Sequence, residues 1–419
     1  MIKLLVIADD FTGGLDTGVK FAARGIRTRV VTDPETDYAE AADGAEVLVV
    51  VAETRHMPAY QAYDAVYRVA LKGKRLNVPH IYKKTDSGLR GNIGAELSAV
   101  MDACGEKQMA FLPSMPAMGR VTRNGMHYVD GLPVSESVFG RDPFEPVTES
   151  DVIRLLALQT PVKARSVSWD IIPEGGEGFL IVDAETDDDL RKAGEKLAKS
   201  NRLRIMAGCA GFAAFLPELL GLNMGEMPQL PKLDYGLFVM CGSVNPITRR
   251  QLDYAERNGF TRLHIQPEQK LEPAYFETDA GRKALEAWRG AELEKPWLIL
   301  DANDDGKDNA DTAAYAAKRG MSTEELRSRI SSTLGVILPE MMNAGVARTM
   351  LITGGDTLLQ CMDRMQVHQM EPILEVFRGV VLSRFDVMGQ ARFVITKSGG
   401  FGDETLLDDL KQVIEKQYQ

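Results

Sequence analysis

No stretch of the chain reaches the roughly 18 to 20 consecutive apolar residues that a membrane-spanning helix needs, so no span is expected. The N-terminus, MIKLLVIADDFTGG, has only a short apolar run. Two aspartates close it where a signal peptide would run on toward a small-residue cleavage site, and a cytoplasmic location is the expectation. Cysteine is scarce: Cys104, Cys209, Cys241 and Cys361 show no CxxC spacing, and the five histidines form no HxxxH or HExxH pair. This argues against a disulfide framework and against a zinc site, and the cysteines read as small buried apolar residues. Positive charge is in deficit, with 49 Lys and Arg against 60 Asp and Glu and a net charge of -11. That balance opposes bulk attraction to nucleic acid, which depends on phosphate contacts from Lys and Arg. It does not exclude small anions, because a local basic patch sets the field inside a cleft. Neither GxxxxGKS/T nor GxGxxG occurs, and there is no fixed-period repeat or low-complexity tract.

What is present is ordinary globular composition, 44% hydrophobic and 26% charged, on a chain of 419 residues, too long for one core. Short apolar runs alternate with helical patterns: Lys3 to Ala8, then Leu15 to Arg24, then Val47 to Ala52, then Ala59 to Leu71. That rhythm predicts an α/β protein of two domains, each a mostly parallel sheet flanked by helices, with a cleft between them. The segment NMGEMPQLPK holds two prolines and no period, which predicts an N-terminal domain over 1–222, a linker over 223–233 and a C-terminal domain over 234–419. The polar segment Asp301 to Arg319 reads as a solvated loop or helix face.

Several constellations carry chemistry. In VIADDFTGGLDTG, Asp9 and Asp10 end an apolar strand, the place where open α/β sheets bind ligands, although either acid also suits a helix cap. An aspartyl-phosphate phosphatase would need a second Asp two residues after the first, and Phe11 and Thr12 stand there. In IYKKTDSGLRGN a second strand ends in Lys83, Lys84, Thr85, Asp86 and Ser87, with Arg90 soon after and Arg55 ending a neighbouring run. Cations, hydroxyls and a carboxylate together suit a ligand bearing both a carboxylate and hydroxyls. The segment PSMPAMGRVTRNGMHYVDG reads as a long loop with Arg120, Arg123 and Asn124, either lying over a cleft or a structured surface excursion. His127 and His56 read as packed or exposed rather than catalytic. Three later turns, CGSVNP, TGGDT and KSGGFG, each follow a strand and precede a helix, as turns that cradle phosphate do.

In this order the DDFTGG, KTDS, PxxPxxGR, CGSVNPITRRQ, TGGDT and KSGGFG motifs resemble the four-carbon acid sugar kinases, over Ile7 to about Gly402. ADDFTGGLDTG looks closer to the D-threonate or D-erythronate branch than to the 3-oxo-tetronate branch. The resemblance implies an N-terminal acid-binding domain and a C-terminal nucleotide-binding domain, with ATP donating phosphate to the terminal hydroxyl of a four-carbon acid. Carried over by motif, Asp10, Arg55, Lys84, Thr85, Asp86 and Ser87 would hold the acid, with Asp10 accepting the proton of the attacking hydroxyl. Ser243, Gly354, Gly355, Asp356, Thr357, Gly399, Gly400 and Gly402 would hold ATP. Mg²⁺ is expected with ATP, with Asp356 either a contributor or a helix cap, and no dedicated protein metal site is expected. Where the family commonly has alanine this chain has Gly14, and it has PSMP where an aromatic is common, departures that bear on substrate choice. The other readings are a 3-oxo-tetronate 4-kinase, a sensor binding acid and nucleotide without transfer, and a dinucleotide-dependent oxidoreductase, weakened by the missing GxGxxG. Dimers are common among such enzymes, and the sequence identifies no interface.

Overall fold

The protein is described from a computed structural model covering residues 1–142, 145–306, 309–343, 348–387 and 389–419. It divides into two compact units, Met1–Pro228 and Gln229–Gln419. In the first unit the strands are β1 (Leu4–Ala8), β2 (Thr28–Val31), β3 (Val47–Val51), β4 (His80–Lys84), β5 (Gln108–Leu112), β6 (Arg120–Arg123), β7 (Met126–Val129), β8 (Leu132–Pro133), β9 (Ala164–Ser168), β10 (Gly178–Asp183) and β11 (Ile205–Gly208). Its main sheet runs β2-β3-β1-β4-β11-β5-β10-β9, parallel throughout. Strands β1 and β3 are buried along their whole length, as expected where helices cover both faces of a parallel sheet. The chain leaves β1 toward β2 and β3 and from β4 onward builds toward the other edge. The strand order therefore reverses beside β1, where such sheets bind ligands.

The segment expected as a proline-fixed loop is instead a three-stranded antiparallel sheet, β6-β7-β8. Asn124-Gly125 joins β6 to β7 and Asp130-Gly131 joins β7 to β8, all four at positive φ. These are the two-residue turns that favour hairpins, and the NG and DG pairs announce them in the sequence. The helix Ile93–Cys104, also unanticipated, is buried nearly all round, so it lacks the amphipathic period by which helices are recognised.

The second unit contains β12 (Leu237–Cys241), β13 (Thr261–His264), β14 (Trp297–Asp301), β15 (Thr349–Thr353), β16 (Gln369–Phe377), β17 (Val380–Val387) and β18 (Gln390–Lys397). Strands β13-β14-β12-β15-β18 are parallel, and β17 and β16 extend them antiparallel. Helices Pro246–Arg257, Gly355–Arg364 and Leu406–Lys416 follow β12, β15 and β18. Among the described residues no helix is long and apolar enough to cross a membrane, and all four cysteines are buried and free.

On β4 successive side chains point to opposite faces. Lys84 meets the acids after β1, whereas Lys83, fully buried, meets Glu96 at 3.0 Å. Thr54 donates its hydroxyl to the same carboxylate. Replacing Glu96 with Ala strands a buried ammonium, and loss of one partner of such a pair costs about 3–5 kcal/mol. Urea unfolding followed by a first-unit probe is expected to show that loss for Glu96→Ala and substantial recovery in the double variant Lys83→Met/Glu96→Leu. Equal stability of the single variant and the wild type would refute this account of the pair.

Candidate active site

Adjacent strands β3, β1 and β4 deliver three chain segments to one place. After β1 the chain turns at Asp9 and Asp10, and Asp10 caps the helix Phe11–Ala22 by accepting the Gly13 N–H at 3.1 Å. Arg55, beyond β3, donates from Nε and Nη2 to Asp9 at 2.8 and 2.6 Å and from Nη1 to Asp10 at 2.9 Å. Lys84 ends β4, donates to Asp9 at 3.2 Å and lies 3.7 Å from Asp10. A Cβ at position 13 would collide with the Lys84 ammonium and the Asp10 carboxylate, so Gly13 leaves the room that Lys84 fills.

Burial alone would raise the Asp9 carboxyl. The Arg55, Lys84 and Lys83 cations overcome it and hold the group well below the usual carboxylate range. The Lys84 ammonium would be lowered by burial, but Asp9 and Asp10 raise it. Of the acids in the cluster Asp10 keeps most contact with solvent, its side chain 19% exposed against 3% for Asp9 and 9% for Asp86.

The turn after β4 is pinned from several directions. Asp86 accepts the Gly88 and Arg90 N–H groups at 3.1 and 3.2 Å and the Arg90 Nε and Nη2 at 2.9 and 3.0 Å. Arg90 also reaches Asp142 at 3.0 Å. Thr85 donates its N–H to Gly208 at 2.8 Å, while its buried hydroxyl finds no partner among the described residues. The Ser87 hydroxyl accepts from Arg120 of β6. The Arg120 and Arg90 guanidinium groups pack on the same Phe139 ring, 4.9 and 5.1 Å from its centroid. His127, fully buried on β7, meets the Ser87 carbonyl at 3.0 Å and the Thr122 hydroxyl at 2.9 Å. Of the two readings of the β6–β8 segment, the one in which it brings positive charge to the site describes Arg120, and Arg123 pairs with Glu185 outside it. Phe139 and Asp142 escaped the sequence reading because no local motif marks them.

In the second unit the three glycine turns also sit at the ends of adjacent strands, β12, β15 and β18. Gly354 has φ 110°, a conformation that favours glycine, and opens the helix Gly355–Arg364. A Cβ on Gly242 would strike the Thr357 hydroxyl, and one on Gly399 would lie 2.8 Å from the Ser243 hydroxyl and 3.1 Å from Asn245 Cβ. Ser243, Gly354, Thr357 and Gly399 are thus brought together, with Gly355 in the same turn and Gly400 beside Asn245. Gly402 stands apart, against Leu406 and Gln251. Asp356 pairs with Arg327 at 3.2 Å. Two helix N-termini converge here, one capped by Asn245, and such ends favour anions.

The segment beyond β14 departs from expectation. Asp301, Asn303 and Asp304 are buried, and 310–318 is a helix. Asp301 is gripped by Arg262 at 3.0 and 2.7 Å, and Asn303 bridges Asp301 at 2.8 Å to the Ser243 carbonyl at 3.1 Å. This network braces the first glycine turn from behind. Among the described residues no group of three or more His, Cys, Asp or Glu side chains is arranged to hold a metal ion.

Paired acids and cations beside hydroxyls in one α/β unit, with a glycine-lined anion cradle in the other, define a phosphotransferase acting on a small polar molecule. A family model described as a sugar-binding N-terminal domain matches residues 4–216, and one described as a nucleotide-binding C-terminal domain matches residues 238–407. The D-threonate kinase of Salmonella typhimurium is 31% identical, covering 100% of this chain and 99% of that protein. The D-erythronate kinase of Heliobacterium modesticaldum is 26% identical over 85% of this chain and 84% of that protein. A solved structure from Salmonella typhimurium LT2 shares the fold, with TM-score 0.80 at 21% identity over 99% of this chain and 100% of that one. The chain belongs to the four-carbon acid sugar kinase family.

The buried His127 gives the first unit a pH signature. Burial, with Arg120 adding to it, lowers the imidazole from 6.5 to about 4. The unfolded chain therefore takes up a proton that the folded chain refuses, and stability present above pH 6.5 is lost as pH falls toward 4, by about 3 kcal/mol. The loss is expected in unfolding curves of the wild type and should largely disappear in His127→Gln. Parallel pH profiles for the two proteins would contradict it.

Proposed function

We propose that this protein transfers the γ-phosphoryl group of ATP to the terminal hydroxyl of D-threonate or D-erythronate. In this reading 1–222 binds the acid, 234–419 binds the nucleotide, and 223–233 joins them. The hydroxyl oxygen attacks the γ-phosphorus, the bond to the β,γ-bridging oxygen breaks, ADP leaves, and the hydroxyl proton passes to Asp10.

The observation that carries the reading is the state of Asp10. It is the most solvent-facing acid of a cluster in which Arg55 and Lys84 supply matching positive charge. Such a group can orient a hydroxyl and accept its proton, a modest task because phosphoryl transfer is mostly positioning and charge neutralisation. Arg55 and Lys84 would share their remaining N–H groups with the substrate's carboxylate, with Arg120 and Ser87 at the same end of the site. Thr85 offers a hydroxyl without a partner among the described residues. Asp86 is so fully engaged by Arg90 that we give it the role of fixing the turn. The relatives named D-threonate and D-erythronate kinase support a four-carbon acid, and the former matches this chain along its whole length.

On the nucleotide side, Ser243, Gly354, Gly355, Thr357, Gly399 and Gly400 would face the phosphates, where two helix N-termini favour negative charge. Gly402 would shape the turn. Mg²⁺ bound with ATP would neutralise charge on the phosphate oxygens, taking few protein ligands, and Asp356, paired here with Arg327, is a candidate for one.

Coupled ADP release with Mg-ATP against D-threonate, D-erythronate, L-threonate and 3-oxo-tetronate tests the assignment. One of the first two acids is expected to turn over, with kcat lowered roughly 100-fold or more in Asp10→Asn. A change confined to KM would make Asp10 a binding group. Turnover only of the oxo acid would move the protein to the other branch, and binding of ATP without turnover of any acid would favour a sensor.

A further inference from the structure

Other buried cations meet carboxylates: Arg55 meets Asp9, Lys83 meets Glu96, and Lys270, in the second unit, meets Asp304 at 2.8 Å. Lys397 is different. It ends β18 with only 2% of its surface exposed, and its ammonium donates to the Thr248 hydroxyl at 2.9 Å, the Ser398 carbonyl at 3.0 Å and the Gly399 carbonyl at 3.2 Å. All three partners are neutral oxygens. The groups facing it from packed elements are neutral as well. Thr353 of β15 and Val380 of β17 lie beside it in register, Thr248 comes from the helix Pro246–Arg257, and Cys241 comes from β12. Burial first, and Asp301 second, keep the Cys241 thiol protonated.

A buried ammonium solvated by neutral oxygens alone is costly to retain, so its presence calls for an anion that arrives later. Its position indicates which. The Ser398–Gly399 turn that it underpins abuts Ser243 and Asn245, where two helix N-termini also favour negative charge. We propose that Lys397 is the counter-charge for the nucleotide's polyphosphate, a positioning residue that acts from beneath the glycine turn. The inference rests on the nucleotide reading of the second unit.

Burial lowers the ammonium to about 8, with the Cys241 thiol a minor opposing influence. Near that pH about half of the free protein carries a neutral Lys397, and arriving phosphates favour the charged form, so binding takes up a proton. Titration calorimetry of the full chain with Mg-ADP at pH 8, in buffers of different ionisation enthalpy, measures this directly. Uptake of about half a proton per ADP is expected, falling toward zero at pH 6.5. Lys397→Arg, permanently charged, should bind ADP without uptake, and Lys397→Met should bind about tenfold more weakly or worse. Binding by the wild type without uptake, or variants that bind ADP with wild-type affinity and uptake, would overturn the proposal and leave Lys397 a purely structural role. If the wild type bound no ADP at all, the nucleotide reading would fall first and this inference with it.

Discussion

Two carboxylates and two cations, Asp9 and Asp10 with Arg55 and Lys84, are held together largely out of solvent, with Asp10 the most exposed of them, and the first unit is organised around that balance. Each charge alone would be expensive to bury, and together they offset one another only with good geometry. No single turn can supply that geometry. The ends of β3, β1 and β4 must lie side by side, which makes the parallel order of the central strands a requirement of the site. Gly13 then clears the space for Lys84, and Asp10 binds the first turn of its helix into the same arrangement.

The second unit solves a related problem by different means. There the turns after β12, β15 and β18 carry few charged side chains and many glycines, and they are lined by backbone, hydroxyls and helix ends. Charged groups are set one layer back: Arg262 holds Asp301, Asp301 accepts from Asn303, Asn303 in turn donates to the Ser243 carbonyl, and Lys270 holds Asp304. A site that must accept and release a polyphosphate gains from this separation. On the proposed reading, fixed dipoles at the surface would bind the anion with Lys397 set beneath them, while the buried network keeps the turns from collapsing.

The alternation of apolar runs and helical patterns made the α/β architecture legible, because parallel strands buried on both faces have few other readings. The acids after β1 and the glycine turns were visible for the same reason, since each interrupts an apolar run at its carboxyl end. Pairings between distant segments were not legible. Arg120 meets Ser87 across 33 residues and Arg262 meets Asp301 across 39. The polar composition of 301–304 therefore looked solvated, although Arg262 and Lys270 supply the charges that let Asp301 and Asp304 be buried. The Asn124-Gly125 and Asp130-Gly131 turns were written plainly, but the surrounding prolines and glycines drew the segment toward a loop reading.

How rigidly each polar group is held decides which can discriminate between substrates. Asp86 accepts four hydrogen bonds from its own turn, so it has little capacity left for a hydroxyl. Asp9 is nearly sealed, and its oxygens are taken by Arg55 and Lys84. Capacity remains at Asp10, at the Thr85 hydroxyl and at Ser87, which Arg120 and His127 fix in place. Threonate and erythronate differ in the configuration of one hydroxyl-bearing carbon, so a site that tells them apart must hold hydroxyl partners stiffly enough to leave one unpaired with the wrong isomer. On the proposed reading that stiffness comes from β6 and β7 pressing on the turn after β4, which places substrate choice in the small antiparallel sheet and the reaction itself in the ends of β1, β3 and β4.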